Sequence, residues 1–144
     1  MNKITNIIFD FDGTLMDTAP VILATMQATF EELGLPEKTE EECRATIGLR
    51  LEEIPQRLFP DRSEIAKEYA ATYRRLFPEH NRPGVARPFP GVIETVKRLH
   101  AQGCQMAVAS SRNRQSLEEF VRDIQLTNTF QLLVGGDDVE HGKP

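Results

Sequence analysis

The chain has 144 residues, of which 40% are hydrophobic, and its formal net charge is −5 with a pI near 5.2. This length suits one ordinary domain, or one small core that carries an inserted subdomain. The apolar fraction is sufficient for a packed core. The acidic balance argues against a nucleic-acid partner, because proteins that bind nucleic acids usually present a basic surface.

The two cysteines and the amino-terminal apolar run bear on the compartment of the protein and on membrane insertion. Cys43 and Cys104 stand alone, without the CxxC or Cys/His spacing of a metal site. We therefore expect a reduced, cytoplasmic protein. The apolar run near the amino terminus is soon interrupted by acids, which predicts neither a signal peptide nor a membrane span, and we expect no membrane partner.

The first half of the chain is predicted to contain one strand followed by helices. Residues 4–9, ITNIIF, are β-branched and apolar on both faces, which suits a strand that is covered on both sides. Ile22, Met26 and Phe30 recur at helical spacing and predict a helix over 20–33, with residue 18 as N-cap and residue 34 as terminator. Residues 39–42, TEEE, predict a capping box, and further helices are expected at 49–58 and 63–77, with prolines 36, 60 and 78 between elements. No strand is predicted between about 17 and 86.

The second half alternates between strands and helices. Pro90 is placed as the first turn of a helix that ends near Gln102 and is closed by Gly103. A buried strand over 104–109, a helix over 114–124 and a strand over 131–134 follow, and then the turn Gly135-Gly136. Short strands separated by helices predict a parallel sheet with right-handed crossovers.

Several polar residues follow the predicted strands, and the carboxyl ends of parallel strands are where such sheets carry function. Asp10 and Asp12 follow the first strand, Ser110 the second, and Asp137-Asp138 the third. Two carboxylates about 4 Å apart repel by roughly 4 kcal/mol at an effective dielectric near 20. If Asp10 and Asp12 lie this close, the pair requires a proton, a cation or wide solvent exposure. Asp137 and Asp138 are explained equally well by a metal site and by a polar loop.

Three motifs in order resemble a known enzyme superfamily. FDFDGTLMD, residues 9–17, resembles the signature hhhhDxDGTxxD of the haloacid dehalogenase-like (HAD) hydrolases. Ser110 after a strand resembles the second motif, and Lys143 in GKP resembles the third. The intervening helices resemble the cap of phosphoglycolate phosphatases and β-phosphoglucomutases. The resemblance implies an α/β fold, with a Rossmann-like parallel sheet core over 1–16 and 84–144 and an inserted all-helical cap over 17–83.

The resemblance also implies a reaction. A phosphate monoester is anionic, so an attacking carboxylate needs a nearby cation, and Mg²⁺ supplies one. Asp10 is expected to attack phosphorus and form an aspartyl-phosphate, while Asp12 gives a proton to the leaving group and later takes one from water. The Asp10 carboxylate and the Asp12 backbone carbonyl are implied as metal ligands.

Substrate contacts are implied in both predicted domains. Ser110 and Lys143 are expected to bind phosphoryl oxygens, although a turn serine and a surface lysine are open alternatives. The remaining phosphate contacts are assigned to Ser111, Gly13 and Thr14. In the cap, Gly48 and Arg50 are predicted to lie in the substrate loop, where Arg50 would bind a second anionic group of a small phosphorylated metabolite. A solvated helix start explains Arg50 equally well.

The chain stops before any match to the superfamily's fourth motif, a strand end with further metal-binding acids. We therefore expect the core to be incomplete at the C-terminus, as in a fragment of a longer hydrolase that binds Mg²⁺ weakly and turns over poorly by itself. Its first strand would be an exposed edge that permits self-association. The predicted function is a Mg²⁺-dependent phosphomonoester hydrolase of a phosphoglycolate-like metabolite. The alternatives are a β-phosphoglucomutase-like mutase and a catalytically impaired core that acts as a binding module.

Overall fold

The computed structural model of the protein describes residues 4–143. The strands within this range are β1 (Asn6–Phe9), β2 (Met16–Asp17), β3 (Arg87–Pro88), β4 (Gln105–Ala109) and β5 (Leu132–Val134). The α-helices are α1 (Ala19–Leu33), α2 (Glu40–Arg44), α3 (Ile54–Leu58), α4 (Ala66–His80), α5 (Val92–Ala101) and α6 (Arg114–Asp123). Three 3₁₀ turns lie at Leu51–Glu53, Pro60–Ile65 and Gly136–Asp138.

The chain forms two compact units. One unit contains the chain up to Asp17 and again from Pro88 onwards, and the other contains Thr18–Arg87. The borders expected from the sequence, 16/17 and 83/84, compare with 17/18 and 87/88 in the structure. That the helical unit acts as a cap stays a prediction.

The α/β unit is built on a parallel sheet, and this confirms the predicted fold class. Its strand order is β1-β4-β5, with Phe9 opposite Val108 and Ala109 opposite Val134. Helix α6 connects β4 to β5, and its apolar side is buried at Leu117 and Val121. Apolar positions on this helix recur every three or four residues because that spacing places them on one face.

Strand β1 lies at one edge of the three-stranded sheet formed by the described residues. Its residues alternate in exposure, and the Ile8 side chain is 74% exposed. The expectation that both faces of this strand are covered is therefore wrong for the Ile8 face within residues 4–143. Self-association through this edge stays a prediction.

The helical unit has its own core. Met26 and Phe30 of α1 are buried, as their spacing predicted, and they cluster with Tyr69 of α4. The Phe30 and Phe59 rings meet edge to face at 5.3 Å. The Thr39 side chain accepts a hydrogen bond of 3.1 Å from the Glu42 backbone N–H at the start of α2, which is the Thr39 half of the predicted capping box.

Residue 18 occupies the N-cap position of α1, as predicted, without a side-chain capping bond. The predicted end of α4 and the predicted start of α5 are wrong. Helix α4 runs through Pro78 to His80, since a proline so near a helix end removes only one late backbone hydrogen bond. Pro90 precedes α5, because Gly91 adopts a left-handed φ of 84° that a helix excludes. Strands β2 and β3 pair with each other but have two residues each, too few to show alternation in sequence.

No helix among the described residues is long and apolar enough to cross a bilayer.

Candidate active site

The segment after β1 folds into a tight turn that presents the two acids. The N–H groups of Thr14, Leu15 and Met16 all donate to the Phe11 carbonyl oxygen, at 3.0–3.1 Å. The Gly13 N–H donates to the Met16 carbonyl oxygen at 2.8 Å, and Gly13 has a left-handed φ of 79° that favours glycine. The N–H groups of Gly13 and Thr14 thus donate inside the turn, and a role of these two residues in phosphate binding stays a prediction.

Asp10 lies beside the lysine of the third motif. Lys143 Nζ donates to Asp10 Oδ1 at 2.6 Å, although the two residues are 133 positions apart in sequence. The two side chains are 41% and 45% exposed, so solvent screens their attraction. The contact is open enough for an anionic ligand to approach both groups.

Asp12 has a different and more buried partner. Arg112 Nη2 donates to Asp12 Oδ1 at 2.6 Å, and Arg112 Nε donates to Asp12 Oδ2 at 3.4 Å. The Arg112 and Asp12 side chains are only 10% and 11% exposed. Each acid of the pair therefore has a protein cation beside it, which offsets the repulsion that two neighbouring carboxylates would suffer.

Ser110 leaves β4 at the edge of the sheet where Asp10 leaves β1, because Phe9 and Val108 are paired in register. The Ser110 N–H donates to the Val134 carbonyl oxygen at 2.9 Å. Its buried hydroxyl accepts a 3.1 Å bond from the Arg112 N–H. The structure thus links Ser110 to Asp12 through Arg112. Ser111 follows in the same loop.

The loop after β5 holds the loop after β4 in place. The Gly136 N–H donates to the Arg112 carbonyl oxygen at 2.8 Å, and a Cβ atom on Gly136 would lie 2.3 Å from the Ser111 carbonyl oxygen. This close approach of two backbones requires glycine.

The acids after β5 have structural partners. Asp137 Oδ1 accepts a 2.8 Å bond from the Arg114 N–H at the start of α6. Asp138 forms an ion pair with the Arg114 guanidinium at 3.3 Å. The bond that the Asp138 carboxylate accepts from the Gly135 N–H, with the help of Arg114, holds the pKa of Asp138 below its usual value. Of the two readings of these acids, the structure supports the polar loop.

The predicted substrate loop belongs to the helical unit. Gly48 has a left-handed φ of 105°, and Arg50 is the N-cap of the 3₁₀ turn at Leu51–Glu53. The Arg50 N–H donates to Glu53 Oε2 at 3.3 Å. A role of Gly48 and Arg50 in substrate binding stays a prediction.

The donor chemistry of the α/β unit suits Mg²⁺, which prefers oxygen ligands and keeps several waters. Asp10 offers a half-exposed carboxylate, and the backbone carbonyl of Asp12 is the second ligand that the family resemblance implies. Within residues 4–143 no group of three or more His, Cys, Asp or Glu side chains gathers around one point. The described residues therefore fit a part of a Mg²⁺ ligand set.

Sequence reasoning missed Arg112 and the packing role of Gly136. Arg112 was not singled out from the sequence, and the signal that could have found it is its position two residues after Ser110. Gly136 was read as a turn residue, although its backbone approach to Ser111 supports the site.

The family model of the haloacid dehalogenase-like hydrolases matches residues 7–144. The chain belongs to this family. The resemblance that was drawn from the three motifs is thereby confirmed.

Named HAD relatives and structures agree with this membership. The chain is 34% identical over 142 residues to pyrophosphatase PpaX of Halalkalibacterium halodurans, covering 99% of this chain and 64% of that protein. It is 30% identical over 138 residues to the phosphoglycolate phosphatase of Aquifex aeolicus, covering 96% and 63%. A Bacteroides fragilis protein assigned to the HAD-like hydrolases superposes with a TM-score of 0.89 at 27% identity, covering 99% of this chain and 68% of that one. The chain thus spans a little under two thirds of the length of these curated relatives.

Proposed function

We propose that this HAD-family chain carries the catalytic core of a Mg²⁺-dependent phosphomonoester hydrolase, with a small, phosphoglycolate-like metabolite as substrate. The observation that carries the proposal is the contact between Asp10 and Lys143 at the edge of the sheet where Ser110 also lies. A carboxylate nucleophile and an ammonium group in contact, with a buried hydroxyl at the same edge of the sheet, suit the binding and attack of a phosphoryl group.

In the proposed reaction, an Asp10 carboxylate oxygen attacks phosphorus as the bond from phosphorus to the ester oxygen breaks, so that an aspartyl-phosphate forms and an alcohol leaves. Water then attacks the same phosphorus, releasing inorganic phosphate and restoring Asp10. Lys143 and Ser110 would donate hydrogen bonds to the phosphoryl oxygens. When bound by the Asp10 carboxylate and the Asp12 carbonyl, Mg²⁺ supplies positive charge that offsets the repulsion between nucleophile and phosphate.

Asp12 is proposed to give a proton to the departing alkoxide and to take one from the attacking water. Its Oδ1 is tightly held by Arg112 at 2.6 Å, whereas Oδ2 has the longer 3.4 Å contact. Proton transfer through Oδ2 would leave the stronger half of the ion pair intact.

The names of two relatives suggest two candidate substrates for the test. Phosphoglycolate is the first, since the Aquifex aeolicus relative is named phosphoglycolate phosphatase. Inorganic pyrophosphate is the second, since the Halalkalibacterium halodurans relative is named pyrophosphatase. Pyrophosphate is a phosphoanhydride and not an ester, so inorganic phosphate would leave in place of the alcohol. Both are small and carry a second anionic group beside the reacting phosphoryl, which is the kind of group predicted to meet Arg50.

The test is a phosphate-release assay with Mg²⁺ over phosphoglycolate, pyrophosphate and a hexose 1-phosphate, run on the chain and on Asp10→Asn. We expect release of phosphate from one of the first two substrates, and we expect Asp10→Asn to abolish it. Conversion of the hexose 1-phosphate to its 6-phosphate isomer would indicate a mutase instead. Release that survives Asp10→Asn would contradict the proposed nucleophile.

A binding measurement separates lack of turnover from lack of a site. Beryllium fluoride mimics a phosphoryl group on an aspartate, so the chain should bind it in the presence of Mg²⁺ while Asp10→Asn should not. Binding without turnover would favour a catalytically impaired core. No binding and no turnover together would contradict a phosphoryl site at Asp10.

A further inference from the structure

Arg112 is the buried basic residue of the site that the three motifs do not include. The Nε and Nη2 atoms of its guanidinium donate to Asp12, and its Nη1 donates to Ser116 Oγ at 2.9 Å. The guanidinium carbon also lies 4.8 Å from the centre of the Phe120 ring, within the range of a cation–π contact. The planar group is therefore held by a carboxylate, a hydroxyl and an aromatic face.

The backbone of Arg112 is held as firmly as its side chain. Its N–H donates to Ser110 Oγ at 3.1 Å, and its carbonyl oxygen accepts from the Gly136 N–H at 2.8 Å. The next residue, Asn113, caps α6 by accepting a 2.8 Å bond from the Ser116 N–H. The backbone and the guanidinium of Arg112 are thus both hydrogen-bonded to residues of the same α/β unit.

Asp12 gains a defined orientation from this arrangement. The χ1 torsion of an aspartate can occupy three staggered wells and its terminal torsion is broad, so a carboxylate that must transfer a proton to one atom needs an external restraint. The Arg112 fork, with donors to both Asp12 oxygens, is the geometry that arginine supplies and lysine does not.

The burial of Arg112 argues that it acts through Asp12 and not on the substrate. The Nε and Nη2 groups that would grip a phosphate already face Asp12, and the side chain is 10% exposed. Lys143, by contrast, is 41% exposed beside the proposed nucleophile. Phosphate recognition is therefore better supplied by Lys143.

We propose that Arg112 is a positioning residue, whose bidentate ion pair sets the orientation of the Asp12 carboxylate for proton transfer. The catalytic part of this inference rests on the proposed phosphatase function. The orientation of Asp12 does not, and it is measurable in the resting protein.

The experiment compares Arg112→Ala and Arg112→Lys with the wild-type chain, and uses Arg122→Ala as the matched control because Arg122 lies exposed near the end of α6. The first readout is the χ1 rotamer distribution of Asp12 from NMR side-chain couplings. We expect one rotamer in the wild type and in the control, and averaging in both Arg112 variants. Arg112→Lys retains the positive charge and keeps the test available if Arg112→Ala does not fold.

The second readout is kinetic. Arg112→Ala should lower kcat by about 10-fold to 100-fold, with KM and the affinity for inorganic phosphate within about twofold of the wild type. Methylguanidinium in the buffer should restore a part of kcat. A loss of phosphate affinity would show that Arg112 binds the phosphoryl group itself and would overturn the proposal.

The two readouts distinguish the two proposals. Rotamer averaging in a chain that does not turn over would support the positioning role while the phosphatase function failed. An unchanged Asp12 rotamer in both Arg112 variants would overturn the positioning role, whatever the activity.

Discussion

Removal of either partner of the Asp12–Arg112 ion pair is expected to destabilise the α/β unit. Its two side chains are 11% and 10% exposed, so solvent screens their charges little. At about 4 Å between charge centres, the attraction is about 4 kcal/mol at an effective dielectric of 20. Removal of one partner of a buried pair typically costs about 3–5 kcal/mol, because the other charge stays buried alone.

The perturbation is a double-mutant cycle with Asp12→Asn and Arg112→Met. Each single substitution should lower the free energy of unfolding by about 3 kcal/mol. The double variant should lose about 2 kcal/mol less than the sum of the two, since neither buried charge is then left without its partner. A parallel cycle at Arg122–Asp123, where the side chains are 70% and 67% exposed, serves as control and should give a coupling below about 0.5 kcal/mol.

The assay has to report on the correct unit. The chain has no tryptophan, and its two tyrosines, Tyr69 and Tyr73, both lie in α4 of the helical unit. Tyrosine fluorescence would therefore miss the α/β unit. Native-state hydrogen exchange of the β4 amides measures the opening of the sheet directly. Single effects that simply add at Asp12 and Arg112, with a coupling as small as that of the control, would refute the argument.

Three further outcomes follow from local contacts. Gly136→Ala places a methyl group 2.3 Å from a backbone oxygen. At Gly103 the added methyl group meets open space, so Gly103→Ala should lose only about 1–2 kcal/mol because of its left-handed backbone. We expect thermal unfolding to show the greater destabilisation for Gly136→Ala. The Tyr69 hydroxyl is buried with no hydrogen-bond partner among the described residues, and burial raises its pKa. Tyr69→Phe should therefore keep or raise the free energy of unfolding measured in urea. Above a pH of about 10 the unfolded chain loses the tyrosine proton more readily than the folded chain, so stability falls, and Tyr69→Phe should remove this contribution. The hydrogen bond from the Gly135 N–H lowers the pKa of Asp138. The stabilising effect of the Asp138 carboxylate is therefore present above its ordinary pKa and is lost as the pH falls through the lowered value. In an acid titration, the free energy of unfolding of Asp138→Asn should fall less steeply than that of the wild type.

Much of this protein could be predicted from its sequence, because the relevant signals are local. Apolar runs and helical spacing predict the parallel strands and α1, and strand ends place Asp10 and Ser110 at the functional edge. The DGT turn is encoded locally too, since Gly13 is the residue that most readily adopts the required positive φ. Such features depend on neighbours within a few positions, which the sequence lists directly.

Partner choice between distant segments was decided by the tertiary structure. Asp12 and Arg112 are 100 positions apart, and nothing local indicates that this arginine, and not solvent or a metal ion, lies beside that acid. The same holds for Gly136, whose lack of a side chain matters only because the β5 loop packs on the β4 loop. Strand register and loop packing bring these groups within hydrogen-bond distance, and burial then makes their pairing strong. The physical reason is that a local pattern determines backbone conformation, whereas the energy of a charge depends on whatever the folded chain places beside it.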